Sequence, residues 1–139
     1  MTTAALTARL VRHEGLRLKP YRDTTGNLTI GVGRNLDAVG VSRPEALSML
    51  ANNITMVEAA LDAGQPWWRK LDDVRQDVLA ELAFNLGPAG VASFHDTLSA
   101  LRAGQYAAAA DHLMASRWAV EVGARAGELA SLLRTGAVS

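Results

Sequence analysis

His13-Glu14-Gly15-Leu16-Arg17-Leu18-Lys19-Pro20-Tyr21-Arg22-Asp23-Thr24-Thr25-Gly26-Asn27-Leu28-Thr29-Ile30-Gly31-Val32-Gly33 is where a helical pattern gives way to a strand pattern. Upstream of it, Leu6 and Leu10 lie on the stripe that reaches Glu14, with Thr2 or Thr3 as the N-cap. Gly15 then terminates the helix and leaves Glu14 near the negative end of the helix dipole. Downstream, Thr25-Gly26-Asn27 is turn chemistry, and Leu28-Thr29-Ile30-Gly31-Val32 alternates as a short strand does. A hairpin closing on that turn brings Thr29 back beside Asp23.

Two carboxylates and a hydroxyl are thereby held at one junction. Cleaving a glycosidic bond takes one carboxylic acid to protonate the departing oxygen and one carboxylate to direct water or stabilise an oxocarbenium-like transition state. The two groups must differ in protonation at one pH. Glu14, at the end of an apolar stripe and near the helix C-terminus, is the group expected to stay protonated. Asp23, in a polar turn with Thr24 and Thr25, is expected to stay ionised. The Thr29 hydroxyl is both donor and acceptor and can hold a water jointly with Asp23. Gly31 and Gly33 leave room for a sugar or another backbone. Each residue alone has an ordinary reading as a surface charge or turn-former; their spacing together is more specific.

Residues 14–33 resemble the active-site region of the phage T4-type lysozymes, the muramidases of bacteriophage endolysins. The family's Glu, Asp and Thr fall on Glu14, Asp23 and Thr29 without a gap. The resemblance continues through Phe84-Asn85-Leu86-Gly87, Gly90-Val91-Ala92-Ser93-Phe94, Ser116-Arg117-Trp118 and Arg134-Thr135-Gly136, so that nearly the whole chain is covered. It implies that Glu14 is the general acid, that Asp23 positions the attacking water with Thr29, and that the MurNAc–GlcNAc β-1,4 bond of bacterial peptidoglycan is hydrolysed with inversion, for cell lysis. It also implies that Arg125 pairs with the catalytic glutamate and that Asn85, one methylene shorter than the expected glutamine, lies on the cleft floor. Gly33 and Arg34 are expected to complete the substrate-binding set, together with Tyr21, which two residues from Asp23 reads equally as cleft lining or as hairpin packing. Many relatives carry a histidine where this chain has Arg34, which is expected to pair with Asp37, Asp72 or Asp73 or to reach substrate carboxylates. The short Ala38-Val39-Gly40-Val41 connection replaces a larger lobe.

The implied fold is α+β, mainly α, and two-lobed: a small β lobe over about 15–43, a linking helix over about 43–63, and a helical lobe over about 70–135 joined by the N-terminal helix 3–14. Together they form one catalytic domain, residues 1–139. The periodicity agrees. Ser42-Arg43-Pro44-Glu45 is a capping box, followed by Leu47, Leu50, Ile54, Val57 and Leu61 on one stripe. Asp72 caps a helix with Val74, Val78, Leu79, Leu82 and Leu86 inward, ended by Gly87-Pro88. Helices follow at about 93–102, 106–115 and 120–133, the last with Val122, Ala126, Leu129 and Leu133 on one side.

Composition narrows the function classes. The 139 residues suit one domain with a real core. Fourteen basic and fourteen acidic residues give no broad field for nucleic acid, and no apolar run reaches the length of a membrane span. No cysteine is present to form a disulfide or a thiolate metal site, and His13, His95 and His112 lack ligand spacing, so no metal or cofactor is expected. Met1 to Arg9 lacks the basic start and long apolar core of a signal peptide. The expectation is a monomer, because one small core accounts for the apolar stripes, and the resemblance implies a protein made in the bacterial host cytoplasm that reaches the periplasmic wall after a holin permeabilises the membrane. Trp67-Trp68 and Trp118 read chiefly as core or hinge residues. A lytic transglycosylase, which needs no positioned water, an inactive wall-binding module and a chitinase are the alternatives.

Overall fold

The computed structural model describes residues 3–138. Helix α1 (Thr3–Glu14) is followed by strands β1 (Arg17–Arg22), β2 (Leu28–Gly31) and β3 (Arg34–Asn35). Then come α2 (Arg43–Gly64), a 3-10 turn (Pro66–Lys70), α3 (Asp73–Ala92), α4 (His95–Arg102), α5 (Tyr106–Met114), α6 (Arg117–Val122) and α7 (Ala124–Thr135). The fold class is α+β, mainly α, with one three-stranded antiparallel sheet in the order β1-β2-β3. The chain forms two compact units, Met1–Met49 and Leu50–Ser139, and the boundary falls within α2. The first unit holds α1 and the sheet.

In the sheet-bearing unit, α1 ends where expected: the Gly15 N–H closes the last turn on the Val11 carbonyl at 2.9 Å, and Gly15 then takes a positive φ. Of the two N-cap candidates, Thr3 is the first helical residue, and Thr2 lies outside the described residues. The expected burial of the α1 stripe is not found. Leu6 is half-buried, Leu10 is 42% exposed, and no residue of α1 is buried. β1 and β2 pair with Tyr21 opposite Thr29 and Arg22 opposite Leu28, with a bulge between Arg17 and Tyr21. β3 continues the ladder with Thr29 opposite Asn35 and Ile30 opposite Arg34.

The capping box at α2 closes in both directions. The Glu45 N–H donates to Ser42 Oγ at 3.2 Å, and the Ser42 N–H donates to Glu45 Oε1 at 2.9 Å. The apolar stripe of this helix is buried only toward its C-terminal end. Leu61 is buried and Val57 half-buried, but Leu47 is 50% and Ile54 41% exposed. The capping box closes the N-terminal turn of α2 and the buried Leu61 anchors its far end.

The helical unit carries the apolar core. Val78, Leu79 and Leu82 of α3, Leu98 and Leu101 of α4, Leu113 of α5, Trp118 of α6 and Leu129 and Leu133 of α7 are buried together. Asp72 caps α3, as the sequence predicts, by accepting the Arg75 N–H at 3.2 Å. The α3 backbone breaks at Gly87, just before Pro88, and resumes to Ala92. The segment expected as one helix over 120–133 is two. Gly123 takes a positive φ between α6 and α7, and the Ser116 hydroxyl caps α6 by accepting the Ala119 N–H. Trp68 and Trp118 are buried and Trp67 is half-buried, in keeping with their reading as core residues.

Arg75 is a buried residue that periodicity does not reveal. Its Nε donates to the Leu133 carbonyl at 2.7 Å and its Nη2 to the Arg134 carbonyl at 3.2 Å, while Nη1 pairs with Asp72 at 2.8 Å. The guanidinium also lies 3.5 Å from the Tyr106 ring centroid. One side chain thus satisfies the C-terminal carbonyls of α7 and joins α3 to α5 and α7.

Candidate functional site

Six of the eight candidate residues, Glu14, Tyr21, Asp23, Thr29, Gly33 and Arg34, belong to the sheet-bearing unit; Asn85 and Arg125 belong to the helical unit. In the sheet-bearing unit the organising residue is Asn27, which sequence reasoning treats only as part of a turn. Its carbonyl accepts both the Asp23 backbone N–H and the Thr29 hydroxyl, each at 2.9 Å. Its own N–H donates to Asp23 Oδ1 at 2.8 Å. Asp23 and Thr29 are therefore tied to one peptide group, as the hairpin reading anticipates, but through a backbone atom that leaves no mark in the residue pattern.

Asp23 Oδ1 also accepts the Thr25 N–H at 3.0 Å and the Thr25 hydroxyl at 2.9 Å. This is an Asx turn, closed by the Gly26 N–H on the Asp23 carbonyl at 3.0 Å. The Asn27 N–H first, and then the Thr25 hydroxyl, hold the Asp23 carboxyl below the usual carboxylate range. The ionised form expected from the polar turn is thus the favoured one. All these bonds go to Oδ1; among the described residues Oδ2 accepts none. Thr29 is 3% exposed and spends its hydroxyl proton on Asn27, so what its oxygen retains is acceptor capacity.

Glu14 is exposed at the end of α1, and the stripe that leads to it is not buried. Its carboxylate lies against the backbone of Gly33: a Cβ built on Gly33 would stand 3.2 Å from Glu14 Oε2. Gly33 also has φ +69°, where an L side chain is strained. Only glycine meets both conditions without displacing the glutamate. Tyr21 is half-buried opposite Thr29, with the Arg17 guanidinium 4.5 Å from its ring centroid.

Arg34 has a different partner from the three aspartates expected. Nη1 and Nη2 donate to Glu45 Oε1 and Oε2, each at 2.8 Å, in a bidentate pair, and Nη1 also reaches the Gly40 carbonyl at 3.1 Å. Glu45 is available because the capping box already orients its carboxylate toward the start of α2. Arg34, then Ser42, hold the Glu45 carboxyl down at about 2. Asp37 instead accepts the Leu28 N–H at 2.7 Å and faces Arg22 at 3.7 Å. Asp72 is committed to Arg75.

In the helical unit, Asn85 Oδ1 accepts the Trp118 indole N–H at 2.8 Å, which leaves its amide N–H groups as donors. The Arg125 Nε pairs with Glu81 Oε2 at 2.9 Å, a partner that the sequence did not single out. This pair lines a groove of about 510 Å³ together with Leu50, Ile54, Trp68 and Phe84.

The chain is similar to two proteins of different context. It is 27% identical to the pre-baseplate central spike protein Gp5 of Enterobacteria phage T4, over 91% of this chain and 27% of the spike protein. It thus spans about a quarter of that relative's length. It is 25% identical to the probable T4-type lysozyme 2 of Dictyostelium discoideum, over 88% of this chain and 89% of that protein. The sequence model described as phage lysozyme matches residues 11–135, which takes in α1 from Val11 through the end of α7, and on that match the chain belongs to the phage lysozyme family.

Proposed function

We propose that this protein is a muramidase that hydrolyses the β-1,4 bond between N-acetylmuramic acid and N-acetylglucosamine in bacterial peptidoglycan, with inversion at the anomeric carbon. The observation that carries the reading is the Asn27-centred arrangement. It leaves Asp23 Oδ2 and the lone pairs of Thr29 Oγ1 as acceptors. A water donating one proton to each directs its own lone pair outward, which is the state a nucleophilic water requires. Family membership and the name of the Dictyostelium relative point the same way.

In this mechanism Glu14 gives its proton to the glycosidic oxygen as the bond to the anomeric carbon breaks. Water attacks that carbon from the opposite face, and its proton passes to the Asp23 carboxylate. Proton exchange with solvent then restores both carboxyl groups. Arg34 and Arg125 contribute to substrate binding through substrate carboxylates, in exchange for Glu45 and Glu81. The free amide N–H groups of Asn85 suit an N-acetyl carbonyl, and Tyr21 and Gly33 lie by the two halves of the proposed machinery. The proposal extends to a monomer released to the wall by a holin-type membrane lesion, which a lysis assay with and without a co-expressed holin tests.

Digestion of purified peptidoglycan, with mass spectrometry of the released muropeptides, is the test. Reducing MurNAc ends are expected from the wild type. Glu14→Gln and Asp23→Asn should each lower the release by on the order of 10²–10⁴-fold, the usual scale for losing a positioned acid or base. Anhydro ends would replace the hydrolase with a transglycosylase, and no release from the folded wild type would assign the chain to wall binding.

A further inference from the structure

Around Trp67, on the helical unit, three shallow depressions adjoin. One, of about 350 Å³, is lined by Gln65, Trp67, Lys70 and Arg102 among others. A second, of about 190 Å³, adds His95 and Ser99, and a third, of about 270 Å³, again has Trp67, Lys70 and Arg102. Trp67 and Arg102 line all three. No Asp or Glu lines any of them. The groove beside Arg125, by contrast, carries Glu58, Asp77 and Glu81 among its walls.

The cations here are also uncommitted. Lys70 ends the 3-10 turn and Arg102 ends α4; both are exposed, and neither takes part in an ion pair among the described residues. The neighbouring Arg69 is held by Asp62 and Glu58. Trp67 is half-buried, and its indole N–H donates to Gln65 Oε1 at 3.2 Å, which fixes the ring beside the two cations. In a chain whose charges balance overall, this patch joins an oriented aromatic surface, two free cations and the polar groups of Gln65 and Ser99.

We propose that Trp67, Lys70 and Arg102 form an accessory binding site for a carboxylated glycan. The indole offers an apolar platform for the C–H face of a pyranose, and the ammonium and guanidinium take carboxylates spaced along the strand. Two cations match sparse carboxylates better than the dense phosphate row of a nucleic acid, which is bound through many phosphate contacts at once. Resting on the muramidase reading, the ligand is peptidoglycan, held by its lactyl and peptide carboxylates. A second hold on an insoluble polymer raises the local concentration of bonds to be cut without altering the chemical step.

The test uses the full chain carrying Glu14→Gln, expected to cleave on the order of 10²–10⁴-fold more slowly, and co-sedimentation with purified sacculi. Lys70→Glu with Arg102→Glu should weaken retention at least fivefold and flatten its salt dependence. Lys70→Arg with Arg102→Lys should retain binding. Trp67→Phe, which keeps an apolar ring in place, should weaken retention without unfolding the helices. With Glu14 intact, the charge-reversed pair should cleave a short soluble glycan at the wild-type rate while its KM for sacculi rises. Unchanged retention after charge reversal would overturn the site, as would an equal loss on soluble and insoluble substrates or tighter binding to a single-stranded oligonucleotide than to sacculi. Failure of the muramidase reading looks different: the wild type releases no reducing ends whatever the charge-reversed pair does to retention.

Discussion

The two units of this molecule hold themselves together by different means. All the buried apolar side chains of the core, from Leu61 to Leu133, belong to the helical unit. The sheet-bearing unit buries one described side chain, that of Thr29, and relies on the Asx turn at Asp23, the backbone of Asn27, the Leu28–Asp37 hydrogen bond and the Arg34–Glu45 pair. Hydrophobic burial is non-directional and tolerates small shifts, whereas hydrogen bonds are lost over a few tenths of an ångström. A unit built on directional contacts therefore suits the positioning of carboxylates, and a unit built on burial suits the supply of stability.

Core truncation should divide the units most sharply. Leu113→Ala, at a fully buried position of α5, is expected to cost about 3 kcal/mol by lost burial and cavity formation. Leu18→Ala, at an exposed position of β1, should stay within about 0.5 kcal/mol. Urea unfolding of the two variants checks the contrast, and comparable losses would mean that the sheet also depends on apolar burial.

Gly33→Ala comes next and should affect function more than stability. A positive φ costs an L residue about 1–2 kcal/mol. The added Cβ, 3.2 Å from Glu14 Oε2, should also push the carboxylate away. Muropeptide release is expected to fall by more than the stability loss accounts for. Equal effects on both readouts would detach Glu14 from Gly33.

The smallest effect concerns pH. Arg34 and Ser42 hold the folded Glu45 carboxyl at about 2, against an ordinary 4.5. A folded value below the unfolded one contributes stability that is complete above 4.5 and is lost as pH falls toward 2. Wild type should thus exceed Glu45→Gln in Tm at neutral pH, with the gap closing over that acidic window. Because the pair is solvent-exposed, the gap should be small and should shrink in high salt. A gap that persists below the window would trace to lost packing rather than to the charge.

Much of the candidate site is legible because its contacts are local. The Asp23–Thr25–Asn27 turn and the Ser42–Glu45 capping box span at most five residues, so their side chains find partners close by in the chain. The partner of Arg34 was not legible, because several carboxylates lay within reach in sequence and the choice depended on where the capping box had already aimed Glu45. The exposed half of α2 misled for a related reason. Periodicity reports which side of a helix is apolar, not whether anything covers it.

Sequence alone was enough for most of the helices, for the tight turn between Asp23 and Thr29, and for the caps of α2 and α3. These follow from residue periodicity, turn chemistry and local hydrogen bonding, all of which act over a few residues of chain. The tertiary structure alone decided that Glu45 receives Arg34, that Glu81 receives Arg125, and that Arg75 closes the end of α7. Each of those is a choice among several chemically adequate partners, and only the distances set by packing select one.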